Sequence, residues 1–220
     1  MVATVKQWLA ATSEEFLAHP RRAIWAGAIL LGLVAVMAVL VPAGPLHIDR
    51  SWAEGVGEAP LLKDVALGFN WLGRGIGRTL SVAAIGVILL RRRRWLALVA
   101  FAGAETLAPL CSSSLKALVD RPRPPDGLVH AAGASFPSGH AAYAGATCVA
   151  LVLLFTRLGP ERRYWWTLAA LTIAGMAWSR TYLRVHWLTD VIAGSLLGVG
   201  VSLLVFATAQ ELTRGRGRED

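Results

Sequence analysis

The chain has 220 residues, 55% of them hydrophobic and 16% charged, with a mean hydropathy of +0.52. A soluble domain carries about a quarter charged residues, so this balance excludes an ordinary globular protein and points to one integral-membrane domain, residues 1–220, with a partly lipid core. The net charge of +8 is clustered between apolar segments, at Arg91 to Arg94, at Arg162 and Arg163, and at Arg214, Arg216 and Arg218. Such clusters exclude a nucleic-acid-binding surface and fit cytoplasmic loops, where Lys and Arg are retained.

In chain order, Val5, Trp8, Leu9, Thr12 and Phe16 follow helical spacing. They predict an amphipathic N-terminal helix on the membrane surface. A helix needs ~20 apolar residues to cross the hydrocarbon. Residues 23–41 form the clearest span, uncharged and stopped by Pro42; its length and the region before it argue against a cleaved signal peptide. Residues 51–72 are mixed and partly helical outside the bilayer. Residues 73–90 make a second span, with Arg74 and Arg78 snorkelling to the interface. Residues 95–119 make the third, with Glu105 and Lys116 on it, and residues 139–156 the fourth. Residues 164–179 make the fifth, opened by Tyr164, Trp165 and Trp166 at headgroup level. Residues 187–209 make the sixth, interrupted by Asp190, with Gly194 and Gly198 in a GxxxG spacing that permits close helix approach. The fold class is therefore all-α, a polytopic membrane bundle of six transmembrane helices. Six spans put both termini on one side, together with Lys6, Arg21, Arg22, Arg157 and the arginine clusters; that side is cytoplasmic and holds thirteen of the 22 basic residues. The segments 42–72, 116–138 and 180–186 then face outward.

Cys111 and Cys148 lie in apolar segments, lack metal-ligand spacing and read as packing residues. There is no Walker motif, CxxC pair, HExxH or internal repeat. Glu105 precedes Lys116 by eleven residues on nearly the same side of its helix, roughly 16 Å deeper at 1.5 Å per residue. A polar contact in a substrate-tail cavity and a buried, hydrogen-bonded structural carboxyl are both open to it; the structural reading is preferred.

Several polar residues collect at the outward ends of the spans: Lys116, Arg123, Ser138, Gly139, His140, Ser179, Arg180, His186 and Asp190. Ionisable groups beside spans are costly and mark functional sites. Lys116, Arg123 and Arg180 supply three cations, and arginine forks match phosphate oxygens. Ser138 is a good N-cap, and Gly139 lets an anion reach bare N–H groups at a positive helix end. Together they make a cradle for one tetrahedral, multiply charged anion. His186 and Asp190, four apart, share a helix face; the Asp fixes one ring nitrogen and frees the other as nucleophile or base. His140 can give a proton to a leaving oxygen. Singly, each feature is also a cap, an interface residue or a structural pair.

K-x6-R-P from Lys116 to Pro124, P-S-G-H from Pro137 to His140, and S-R-x5-H-x3-D from Ser179 to Asp190 stand in that order. They resemble the signature of the type 2 phosphatidic acid phosphatase superfamily, which shares its site with bacterial acid phosphatases and vanadium-dependent haloperoxidases. The resemblance covers the motif core, 116–190, without a departure. It implies that Lys116, Arg123, Ser138, Gly139 and Arg180 hold phosphate, that His186 attacks phosphorus, that Asp190 orients His186, and that His140 protonates the leaving group and then activates water. It implies no metal and no cofactor. Of the two Arg-Pro pairs in "DRPRP", only Arg123 has the family's distance from Lys116, so Arg121 reads as a loop residue with an auxiliary contact at most.

The expected activity is a lipid phosphatase acting on phosphatidic acid, phosphatidylglycerol phosphate, a polyprenyl diphosphate such as undecaprenyl diphosphate, or lipid A phosphates. Its place would be the plasma or inner membrane, its termini cytoplasmic and its site facing outward. A phosphotransferase using the same site is the runner-up. An anion channel or transporter fits less well, because only Glu105 and Asp190 intrude beyond one face. Haloperoxidase activity does not suit a membrane chain. The partner is a phosphorylated lipid in a bilayer, with no nucleic acid; no protein partner is inferable.

Overall fold

The computed structural model describes residues 14–41, 44–57 and 59–216. Among these, all regular structure is helical: α1 (Pro20–Leu40), α2 (His47–Gly55), α3 (Pro60–Leu72), α4 (Gly75–Arg91), α5 (Trp95–Val119), α6 (Gly139–Phe155), α7 (Arg162–Tyr182) and α8 (Leu188–Arg216). Proline opens α1 and α3, where its missing N–H would have had no helical partner. Asp120 closes α5 in the left-handed conformation, φ 42°, a common way to end a helix. The chain then enters the irregular stretch 120–138 that carries Arg121 and Arg123.

Helix α8 is the spine and packs most extensively on α1 and α6. Glycine explains how close it comes. A Cβ on Gly198 would strike the Ala142 carbonyl and lie 2.7 Å from the Ala146 nitrogen, while one on Gly145 would lie 2.8 Å from the Ser195 carbonyl. One on Gly27 of α1 would lie 2.8 Å from the Gly200 carbonyl. Lipid tails are as apolar as leucine, so membrane helices gain contact through small residues rather than hydrophobic expulsion. The GxxxG spacing of Gly194 and Gly198 thus serves the α6–α8 seam.

Around this spine, Phe101, Leu153 and Phe206 pack with Leu89 and Phe16 at one end of the bundle. Helix α1 instead turns large apolar side chains outward, with Trp25 71% and Val39 80% exposed, a surface suited to lipid rather than water. Three helices, α1, α5 and α8, are long and apolar enough to cross a membrane. The pair α3 and α4, bent by 56° at its break, makes a fourth if it acts as one span. The expectation of six spans is therefore met only in part by length and composition. Helix α6 has 17 residues, short of the ~20 that cross the hydrocarbon, and α7 carries Arg162, Arg163 and Arg180.

Of the amphipathic N-terminal helix, Val5, Trp8, Leu9 and Thr12 lie outside the described residues. Its last member, Phe16, is not helical; it is buried edge-on against Phe206, ring centroids 5.1 Å apart. Arg78 also departs from expectation. Instead of reaching for the interface, its guanidinium lies 5.2 Å from the centre of the Tyr143 ring and 3.5 Å from the Glu105 carbonyl. Glu105 itself is buried and accepts a hydrogen bond from Thr147 Oγ1 at 2.6 Å, in keeping with a structural carboxyl.

Candidate active site

The ends of α3, α5, α6 and α7 and the approach to α8 surround a cavity of about 310 Å³. Lys116, Arg123, Gly139, His140, Arg180 and His186 all line it. Six of the eight residues given a catalytic or phosphate-holding role thus face one space. Ser138 and Asp190 do not line it. Both are fully buried, and they are joined to each other, the Ser138 N–H donating to the Asp190 carbonyl at 2.9 Å. Ser138 does occupy the N-cap of α6, but its Oγ makes no capping bond and has no partner.

The cations are aimed by backbone carbonyls. Lys116 Nζ donates to Ala134 O at 2.7 Å, and Arg123 donates to the carbonyls of Ala132, Gly133 and Ala134. The irregular loop is thereby wrapped around two of the three charges. Arg180, 2% exposed, donates through Nη1 to Asn70 Oδ1 at 2.6 Å, and its Nε is unpartnered. Carbonyls orient these side chains without neutralising them, so the positive charge remains for an anion. Burial lowers the pKa of Arg123 from its ordinary value, against the pull of Asp190; a guanidinium stays charged at neutral pH all the same.

His186 does not sit on a helix with Asp190. It lies just before α8, where Asp190 is the third helical residue and its Oδ2 accepts from the Trp187 N–H at 2.9 Å. This N-terminal capping contact draws the carboxylate back toward His186. Oδ2 lies 3.5 Å from His186 Nδ1, an electrostatic contact too long for a closed hydrogen bond. Arg123 Nη1 donates to His186 Nε2 at 3.2 Å, which assigns the proton to Nδ1 and the lone pair to Nε2. Burial pushes His186 down to about 4; Asp190 opposes this, while Arg123 and Lys116 add to it. The imidazole is neutral at pH 7, as a nucleophile requires.

Arg121 corrects the sequence reading. It does stand in the irregular stretch, but it is the largest fully buried side chain among the described residues, 0% exposed, and makes more than an auxiliary contact. Nη1 donates to Asp190 Oδ1 and Nη2 to Asp49 Oδ2, each at 2.6 Å. Thr189 closes the ring, accepting from Arg121 Nη1 at 2.7 Å and donating to Asp49 Oδ1 at 2.9 Å. Asp49 comes from α2, so this network ties the segment between α1 and α3 to the carboxylate beside His186. Asp49 and Asn70 carried no sequence signal. The first of the two Arg-Pro pairs was the only trace of Arg121. Among the described residues, no three His, Cys, Asp or Glu side chains are placed to share one metal ion.

The chain is similar to known proteins. The PAP2 superfamily profile matches residues 95–214. Phosphatidylglycerophosphatase B of Bacillus subtilis is 29% identical over 80% of this chain and 94% of its own length. Decaprenylphosphoryl-5-phosphoribose phosphatase of Mycobacterium tuberculosis is 30% identical over 83% of this chain and its full length. The crystal structure of a transmembrane PAP2-type phosphatidylglycerolphosphate phosphatase from Bacillus subtilis superposes with a TM-score of 0.66 at 25% identity, covering 89% of this chain and 97% of that one. With membrane-spanning helices, the matched profile and relatives that are phosphatases, the chain belongs to the PAP2 superfamily, in its membrane branch.

Proposed function

We propose that the protein is an integral-membrane lipid phosphatase that works through a phosphohistidine on His186. The observation that carries this reading is the convergence of Lys116, Arg123 and Arg180 with His140 and His186 on one cavity that no carboxylate lines. The three cations and the backbone of Gly139 hold the phosphate. The Nε2 lone pair of His186 attacks phosphorus, and the P–O bond to the leaving group breaks. His140, protonated, gives its proton to the departing oxygen. It then takes a proton from water, whose oxygen attacks phosphorus and breaks the P–N bond. Asp190 steadies the Nδ1 proton of His186 throughout. The fixed donors stabilise the charge that builds on the phosphoryl oxygens, and the reaction needs no metal.

The substrate is a phosphomonoester or diphosphate of a lipid, of the phosphatidic acid, phosphatidylglycerol phosphate or undecaprenyl diphosphate type. The whole chain acts as one membrane domain with six crossings, α6 and α7 included, both termini cytoplasmic and the cavity facing outward.

Purified protein should release phosphate from such lipids in EDTA. With ³²P-labelled substrate and a rapid quench it should carry label stable to alkali and labile to acid. His186→Ala should lose both, with activity down by ~10³-fold or more. Full turnover in that variant would overturn the nucleophile assignment.

A further inference from the structure

The cavity holds more positive charge than one phosphate uses. Besides Lys116, Arg123 and Arg180 it is lined by Arg74, with His130 beside it. Arg74 lies in the break between α3 and α4, is exposed, and has no carboxylate partner among the described residues. Among the described residues, the one hydrogen bond of its side chain is a long one, from Nη1 to the His130 carbonyl at 3.4 Å.

The break is fastened to the catalytic side chains. Asn70, one turn before it, accepts from Arg180. Gly73 lies so close to the ring of His140 that a Cβ there would overlap the imidazole Cδ2 and come within 3.1 Å of Met176 Cε. Arg74 is the next residue along. The break is therefore the wall behind His140, and His140 Nε2 is buried with no partner. If His140 protonates the leaving oxygen, whatever is attached to that oxygen passes Arg74.

We propose that Arg74, backed by the Asn70–Gly73 wall, forms a second anion subsite for a phosphate carried by the leaving group. The inference rests on the lipid phosphatase reading and deepens it: the preferred substrates have a second phosphate, either adjacent as in a prenyl diphosphate or beyond a short polyol as in phosphatidylglycerol phosphate. A phosphomonoester brings a charge of about −2 at most to four cations; a second phosphate supplies the remainder. A neutral alcohol leaving group gives Arg74 nothing to bind.

The test compares substrates that share a tail and differ in the second phosphate. One arm uses a prenyl diphosphate against the matching prenyl monophosphate, the other phosphatidylglycerol phosphate against phosphatidic acid. Wild type should prefer the two-phosphate member in at least one arm, and the arm that responds identifies the spacing. Arg74→Ala should lower that preference by ~10-fold or more, the size of a lost charge-assisted hydrogen bond, and Arg74→Lys should restore part of it. On the wild-type chain, methylenediphosphonate should inhibit ~10-fold more strongly than methylphosphonate by the same reasoning. Equal inhibition, or an Arg74→Ala variant whose preference ratio stays at the wild-type value, overturns the subsite and leaves the phosphatase reading standing. A wild-type chain inactive on every lipid overturns both.

Discussion

At the end of the bundle where α5 begins, Arg94 and Arg162 close internal contacts. Arg94 is held by Glu14 and donates to Leu154 O at 2.5 Å. Arg162 donates to Phe16 O and Val152 O. Gln210 clasps the backbone of Phe16 and Leu17 with three hydrogen bonds, so the segment before α1 is strapped to α8. At the opposite end Lys116, Arg123, Arg180 and Arg74 line a space to which no carboxylate among the described residues contributes. Basic residues thus stand at both ends of the bundle, but only at this end do several of them converge on one cavity. A charge that closes an internal contact is structure; a charge held in place by carbonyls and left facing a void is a binding site.

Arg121 tests this contrast most severely, because it is an internally matched charge at the binding end. Arg121→Ala strands Asp49 and Asp190 in a buried setting and should lower stability by about 3–5 kcal/mol. Thermal unfolding in detergent measures this, and kcat/KM should fall with it as Asp190 loses its anchor. A variant that stays as stable as wild type would place Arg121 with the ligand-binding cations instead.

His186 gives a smaller, pH-dependent effect. Its folded value of about 4 lies below the ordinary 6.5, so between these two the unfolded chain binds more protons. The stabilisation is complete above about 6.5 and disappears as pH falls through that window to about 4. Histidine NMR in detergent, assigned with His186→Gln, should give a midpoint near 4. A midpoint near 6.5 would mean the binding end is far wetter than its burial implies.

The smallest effect belongs to the other end. Arg94→Ala removes a partly exposed pair and should lower stability by about 1 kcal/mol while leaving kcat/KM unchanged. A loss of activity there would dissolve the distinction between the two ends.

What the sequence made legible follows the same division. The residues facing the cavity were found because their spacing is local: K-x6-R-P chose Arg123 over Arg121, and P-S-G-H located the start of α6. The partners of Arg121 were out of reach, since Asp49 and Thr189 are separated from it by 72 and 68 residues and no periodicity links them. Arg74 and Arg78 looked like interface residues because they stand at the mouth of an apolar run. The bend at Gly73–Arg74 leaves Arg74 exposed at the rim of the cavity and Arg78 packed on Tyr143, and a bend leaves no mark in hydropathy. His186 and Asp190 lie 3.5 Å apart, brought together by a capping contact at the start of α8 rather than by a shared helical face. Helix α6 is buried on most sides by protein and α7 carries Arg162, Arg163 and Arg180, so neither stands out as a span by apolar length.

The glycine seam between α6 and α8 sets what the surrounding bilayer can do to the enzyme. Gly139 and His140 ride on α6; Asp190 rides on α8, with His186 just ahead of it, and backbone lies against backbone along the join. A thicker or thinner membrane that tilts α8 must carry α6 with it, as a keel carries its hull. The spacing between the two histidines is then insulated from lateral stress, and strain of that kind falls on the bent pair α3 and α4, the wall that carries Arg74.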